Sequence, residues 1–194
     1  MIFSDVISGS TDAKLVPINS NELIARLGKG FDLNSSLLLK NIANFDAAVS
    51  YRYSYVNVPF RSNDDICYFE NVTVKSSALS HIMRDCEEAI LLAVTAGINV
   101  DKLISKASIQ NASDALCIDA ISSAGIESYI DYINNVISEK YCLTKRFSPG
   151  YADFPLDFQA YLLNRVNAER IGISLTDGNL MIPMKSITAV IGVK

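Results

Sequence analysis

The sequence predicts an α+β fold: a mainly antiparallel sheet with flanking helices. Three observations carry that expectation. Helical and strand-like patterns come in blocks (helices, strands, helices, strands) and do not alternate as a β-α-β-α chain would. Of the 194 residues, 49% are hydrophobic and only 20% charged, which is too apolar for disorder and long enough for one sizeable core. No repeat, low-complexity tract or linker divides the chain. It therefore reads as a single structural domain, with residues 1–50 as a helical arm packed on a core of 51–194.

Asn19 to Glu22 has the spacing of a capping box, followed by LIARLG with Gly28 as a C-cap. A second helix is expected over about 34–50, carrying Leu37, Leu38, Ile42, Phe45 and Val49. YRYSYVNVPF is aromatic and β-branched, so a strand is expected over 51–60. SNDD at 62–65 is turn chemistry, and ICYFENVTV follows as one strand or a hairpin turning near Glu70–Asn71. Residues 77–88 read as a helix through Leu79, Ile82 and Met83. AILLAVTAG, ending at Gly97, reads as a strand buried on both faces, or as a helix end. Asn99 or Asp101 can cap a short helix after it. The longest element, a helix over about 113–141, carries Leu116, Ile121, Ile126, Ile130, Ile133 and Ile137 without a proline. TKRFSPGYADFP is a loop and LDFQAYLLNRV a further helix. The C-terminal stretch reads as strand, TDG turn, short strand stopped at Pro183, and a last strand from Ser186.

Composition narrows the chemistry. Seventeen basic residues against 21 acidic give a net charge of -4, unlike a sequence-general nucleic-acid binder. The lone histidine, His81, excludes a multi-histidine metal site. Near Asp85 and Glu87–Glu88 it could suggest acid–base chemistry, but it reads first as a helix-surface residue among solvated charges. Asp64–Asp65 reads as a turn. Cys67, Cys86, Cys117 and Cys142 show no close ligand-type pair, so no metal site is expected and buried free thiols are the default. No P-loop and no GxGxxG between strand and helix is present. The longest charge-free run, Ala89 to Val100, is shorter than a membrane span. MIFSDVISGSTDAK lacks the features of a signal peptide, so a cytoplasmic, non-membrane protein is expected.

The segment RFSPGYADFP, residues 146–155, stands apart. It joins a fixed cation, a rigid proline, a flexible glycine and an aromatic ring after a long helix. Arginine's planar fork suits a carboxylate or phosphate, glycine admits close backbone approach, and tyrosine offers a flat apolar face with a polar tip. A ligand-binding loop and a structural turn both fit this chemistry.

That segment resembles the S-adenosylmethionine (SAM)-binding loop, R-x-x-P-G-Y-x-x-x-P, of the activation domain of cobalamin-dependent methionine synthase. It matches at Arg146, Pro149, Gly150, Tyr151 and Pro155. A second family block, similar to L-T-E-S-x-x-M-x-P-x-x-S-V-S-G, is matched by Leu175, Thr176, Met181, Pro183 and Ser186. Asp177 stands at its acidic position, and Ile187–Thr188 are close replacements. The preceding long helix also resembles the family's, with Glu127 at the acidic SAM-site position. The resemblance covers about 115–194, and RFSPGYADFPL with SLTDGNLMIP looks like the free-standing members.

The resemblance implies an activation-domain-like fold. It further implies a protein that binds SAM and docks on a cobalamin-bearing methionine synthase, restoring cob(II)alamin by reductive methylation with an electron from a flavodoxin- or ferredoxin-type donor. No D-x-H-x-x-G-type motif is present, so the cobalamin is expected on the partner. By the same resemblance, Arg146 holds the SAM carboxylate and Glu127 faces the amino group or sulfonium, although a solvated helix carboxylate is the plain alternative for Glu127. Gly150 and Tyr151 shape the pocket beside Pro149, and Pro155, Thr176, Met181 and Pro183 support the loop. The family's aromatic pair in the last strand corresponds to Ile191–Gly192, which puts Ile191 at a SAM-contact position through its backbone. Phe154 and Leu156–Asp157 replace a Cys and an acidic–His pair around Pro155. The helical segment 20–50 stands in place of the family's N-terminal arm. A rival reading is a non-catalytic adaptor module that binds a corrinoid protein of another methyltransferase system.

Overall fold

The computed structural model describes residues 5–194. The first four residues of the N-terminal segment read for a signal peptide lie outside the described residues. In chain order the elements are β1 (Ile7–Thr11), α1 (Ser20–Leu27), α2 (Ser36–Ala48), β2 (Tyr51–Asn63), β3 (Ile66–Phe69), β4 (Val72–Lys75) and α3 (Ser77–Ile82). There follow β5 (Glu88–Thr95), α4 (Ile98–Gln110), α5 (Ala112–Ser138), α6 (Phe158–Arg165), β6 (Ser174–Leu175), β7 (Met181–Ile182) and β8 (Ser186–Val193).

The main sheet runs β4-β3-β2-β5-β8, and every neighbouring pair in it is antiparallel. β5 pairs with residues 52–59 of β2, while β3 pairs with residues 60–63. β1 pairs antiparallel with residues 51–55 of β2. β6 and β7 form a separate two-stranded hairpin. The α+β, mainly antiparallel architecture expected from the sequence is the observed one.

β5 is the centre of the molecule, and its alternation divides the core in two. Ile90, Leu92 and Val94 point to α1, α2, α4 and α5, where they meet Leu38, Phe45, Ile121 and Ile130. Ala89, Leu91 and Ala93 point to the other face, against Leu79, Phe158 and Leu162 of α3 and α6. Burial on both faces explains why β5 reads as an unbroken apolar run. Each large side chain removed from water contributes about 1.5–3 kcal/mol before entropy is counted.

Several boundaries differ from the sequence expectation, each for a local reason. The segment 1–50, expected to be helical, also carries β1. This short strand is largely exposed and small or hydroxylic (ISGST), so no alternation marks it. The helix expected over 77–88 ends at Ile82: Met83 caps it, and pairing of Glu88 with Val193 draws the following residues into β5. The helix expected to begin on an Asn99 or Asp101 cap starts instead at Ile98 on Gly97 and runs 13 residues. Asp101 lies inside its first turn and accepts from the Met184 N–H at 2.7 Å. As expected, α1 is capped by Asn19, whose carboxamide oxygen accepts from the N–H groups of Asn21 and Glu22. The long helix α5 has 27 residues, about 40 Å of rod. No helix among the described residues is long and apolar enough to cross a membrane.

Candidate functional site

The site grows from the chain's return along β8. After α5 the backbone runs antiparallel to that edge strand. Thr144 N–H bonds to Gly192 O (2.9 Å), and Phe147 and Val190 exchange two bonds of 2.9 and 2.8 Å. Successive residues of an extended segment point to opposite faces. Phe147 turns towards α6 and stacks on Phe154, with centroids 6.0 Å apart. Arg146, one residue earlier, is thereby turned towards α5.

There α5 presents two carboxylates one turn apart, Glu127 and Asp131, on one helix face. Arg146 Nη2 donates to Glu127 Oε2 at 2.8 Å, and Nη1 lies 3.2 Å from Asp131 Oδ1. The Arg146 and Glu127 side chains are each about one-third exposed (31% and 33%), so the pair is reachable from solvent.

The loop after Arg146 closes on itself. Gly150 N–H bonds to Phe154 O (2.8 Å) and Phe154 N–H to Tyr151 O (2.9 Å). Gly150 has φ 89, a left-handed conformation that favours glycine, and a Cβ there would sit 3.3 Å from Leu156. Phe154 is buried between Phe147 and Phe158, which leaves Tyr151 exposed at the rim.

Between α5, this loop and the start of β8 lies a cavity of about 390 Å³, within the size range of small-molecule sites. Five of the residues given a site role by the resemblance line it, Glu127, Arg146, Pro149, Tyr151 and Met181, together with Ser186, Ile187 and Thr188 of the second matched block. Four others sit in its supports. Gly150 forms the turn between Pro149 and Tyr151. Pro155 O accepts from the Phe158 N–H at the start of α6. Thr176 closes the β6–β7 turn, exchanging backbone bonds with Leu180 and Asn179 and accepting from the Leu180 N–H through its hydroxyl. Pro183 follows a cis peptide bond, and its carbonyl accepts from Ser186 Oγ.

Ile191 is not at the cavity. It is fully buried in the core between the sheet and α5, and the 142–147 segment covers that stretch of the β8 edge. The strand borders the cavity earlier, at Ser186, Ile187 and Thr188, before the covering segment begins. Val190 turns its N–H and C=O outward to Phe147, so Thr188, two residues away, turns the same groups to the same edge.

The sequence reading also missed Gln159. It is buried on α6 and lines the cavity, its amide donating to Asn179 O (3.1 Å) and accepting from Thr188 Oγ1 (3.3 Å). A lone glutamine in a helix carries no motif that would have marked it. His81 is remote from the cavity: it is exposed on α3, with Nδ1 3.0 Å from Arg84 Nη2. Asp64–Asp65 form the β2–β3 turn, and Asp65 pairs with Lys75 at 3.0 Å.

The cavity thus gathers a fixed cation, a carboxylate, an aromatic rim, a buried amide and a free strand edge, with Asp131 behind the cation. Such a set can hold a zwitterion attached to a flat polar ring. No protein-family profile matches the chain. No curated protein sequence matches it either. Among solved structures, it is similar to the MetH reactivation domain bound to AdoHcy, at 13% identity and a TM-score of 0.71, over 98% of this chain and 79% of that one. The chain therefore has the fold of the MetH reactivation domain.

Proposed function

We propose that this chain binds SAM in the cavity beside α5. In this reading it serves as an accessory protein for reductive remethylation of a cobalamin-dependent methionine synthase acting in trans. The observation that carries this reading is the convergence of Arg146 and Glu127 on one cavity in a fold whose solved counterpart is bound to AdoHcy.

SAM, when bound, supplies a methyl group on a sulfonium that is its own leaving group. The chain's residues then need only bind and orient. Arg146, with five N–H donors, can keep Glu127 and still offer a fork to the ligand carboxylate. Glu127 faces the positive ammonium or sulfonium, while Asp131 holds the other side of the Arg146 guanidinium. Tyr151 and Pro149 form the wall for the adenosine. Met181, held by the Thr176 turn and Pro183, closes the opposite side, and Pro155 fixes the loop's exit. The corrinoid is carried by the partner, and the electron comes from a flavodoxin- or ferredoxin-type donor.

The test is calorimetric titration of SAM and S-adenosylhomocysteine into wild type and Arg146→Ala. Loss of about ten- to a hundredfold in affinity is expected for the variant, the scale of one charged hydrogen-bond partner; equal affinity would remove Arg146 from the site. Conversion of partner-bound cob(II)alamin with SAM and reductant is then followed by its visible spectrum.

The same guanidinium supports a second reading, because both flanking carboxylates already engage it. A protein that keeps this cluster self-paired fits a non-catalytic adaptor for a corrinoid protein of another methyltransferase system. Binding of the partner without SAM binding or conversion would decide for the adaptor.

A further inference from the structure

We infer that Asp153 is the positioning residue of the candidate site, holding the Pro149–Tyr151 loop through the first turn of α3. This rests on the reading that the cavity binds SAM. Asp153 Oδ1 accepts from Ser76 Oγ (2.7 Å) and Ala78 N–H (3.2 Å), and Oδ2 accepts from Ser77 N–H (2.6 Å) and Ser77 Oγ (2.8 Å). One exposed side chain thus engages four donors more than seventy residues away in sequence. The Ser76 and Ser77 hydroxyl bonds, followed by the backbone bonds, hold its carboxyl well below the usual carboxylate range.

The anchor at the far end is rigid. Ser76 Oγ, while donating to Asp153, accepts from the Leu79 N–H, so α3 keeps its own cap. Leu79 is fully buried, and Ser76 N–H bonds to Asp65 O at 2.8 Å. The near end is the site loop. Asp153 lies between Ala152, in the left-handed region at φ 49, and Phe154, whose backbone bonds to Gly150 and Tyr151. Fixing Asp153 therefore fixes the ring of residues that sets Pro149 and Tyr151 at the cavity. Neither Asp153 nor any residue of α3 is among the cavity-lining residues, so Asp153 acts through position and not through ligand contact.

The test uses the full chain with Asp153→Ala and the conservative Asp153→Asn, which keeps one acceptor oxygen. Amide exchange of Gly150 and Phe154 is measured first, without ligand. Protection at both is expected to fall in Asp153→Ala, with partial recovery in Asp153→Asn and unchanged protection in β5. Calorimetry with S-adenosylhomocysteine is expected to show about tenfold weaker binding for Asp153→Ala and an intermediate value for Asp153→Asn, the scale of a misplaced binding group. Unchanged protection at Gly150 and Phe154 would overturn the tether. Lost protection with wild-type affinity would overturn its role in positioning the site. If wild type itself fails to bind the ligand, the SAM reading falls while the exchange result still decides the tether. If Asp153→Ala does not fold, Asp153→Asn and Ser77→Ala, each removing part of the donor–acceptor set, carry both measurements.

Discussion

Arg146 Nη2 and Glu127 Oε2 lie 2.8 Å apart and tie the segment beside β8 to the middle of α5. Both side chains are about one-third exposed, so solvent screens the pair and its share of stability is about 0.5–1 kcal/mol. The expected outcome is a split between folding and binding. In urea denaturation, Arg146→Ala and Glu127→Ala should each shift the midpoint slightly, with a coupling of no more than about 1 kcal/mol in the double-mutant cycle. In ligand titration, Arg146→Ala should be the severe variant. A coupling of several kcal/mol in folding would show a buried structural pair and weaken the case for a ligand-facing cation.

Gly192 lies in β8 where a Cβ would sit 2.5 Å from Cys86 Sγ and 3.0 Å from Thr144 Cγ2. Thr144 of the covering segment and Cys86, in the turn before β5, close over this position, so no side chain fits. Gly192→Ala is expected to cost about 1–3 kcal/mol, the scale of overpacking a closed core, measured by chemical denaturation. Cys86→Ala should relieve much of it, so the double variant should be more stable than the sum of the two single losses. Strict additivity would show that the clash relaxes elsewhere. An aromatic residue at 192 would require Cys86 and Thr144 to move.

How much was legible depended on whether a residue's role was local. β5 could be read because burial on both faces leaves an unbroken apolar run, and α5 because its isoleucines recur without a proline. β1 could not, since Ile7–Thr11 earns its pairing only when Tyr51–Tyr55 of β2 lie beside it. The length of α4 was hidden because Gly97, which carries no capping side chain, precedes it. At the site, Arg146, Pro149 and Tyr151 came from a contiguous motif, and Glu127 and Met181 from blocks at matching distance. Gln159 reaches the cavity only through packing of α6, and Asp131 meets Arg146 only because α5 runs beside the 142–147 segment, which spacing along the chain does not encode. Ile191 lies away from the cavity, because correspondence of strand positions does not say which stretch of the β8 edge the 142–147 segment covers.

Tyr51 and Tyr129 stack in the helix-side core with centroids 4.3 Å apart, yet their hydroxyls differ. Tyr129 Oη lies 3.2 Å from Thr11 Oγ1, whereas the buried Tyr51 Oη has no hydrogen-bond partner among the described residues. Burial pushes both phenols up in pKa. Removing an unpartnered buried hydroxyl recovers its desolvation cost, so Tyr51→Phe is expected to leave stability unchanged or raise it by about 1 kcal/mol. Tyr129→Phe should lower it by about 0.5–1.5 kcal/mol through loss of the bond to β1. Thermal or urea unfolding of the two variants checks the contrast. Equal destabilisation by both would mean that Tyr51 finds a partner in solution.

The four thiols should separate cleanly by reactivity. Cys67, Cys86 and Cys117 are buried and Cys142 is exposed. Burial pushes the Cys67 thiol up to about 11 and raises those of Cys86 and Cys117. At pH 8 a thiol with a pKa of about 11 is thiolate in only about one molecule in a thousand, and the thiolate is the reactive form. Native protein treated with a thiol-reactive chromogen is therefore expected to release colour for one fast thiol, and all four should react in denaturant. Cys142→Ser should abolish the fast phase and leave the denatured total one lower. A fast phase surviving in Cys142→Ser would mean that β3, α5 or the turn before β5, which carry Cys67, Cys117 and Cys86, opens on the time scale of labelling. Cys86 is the informative site in that case, because its sulfur packs over Gly192 and its exposure would report separation of the 142–147 segment that carries Arg146.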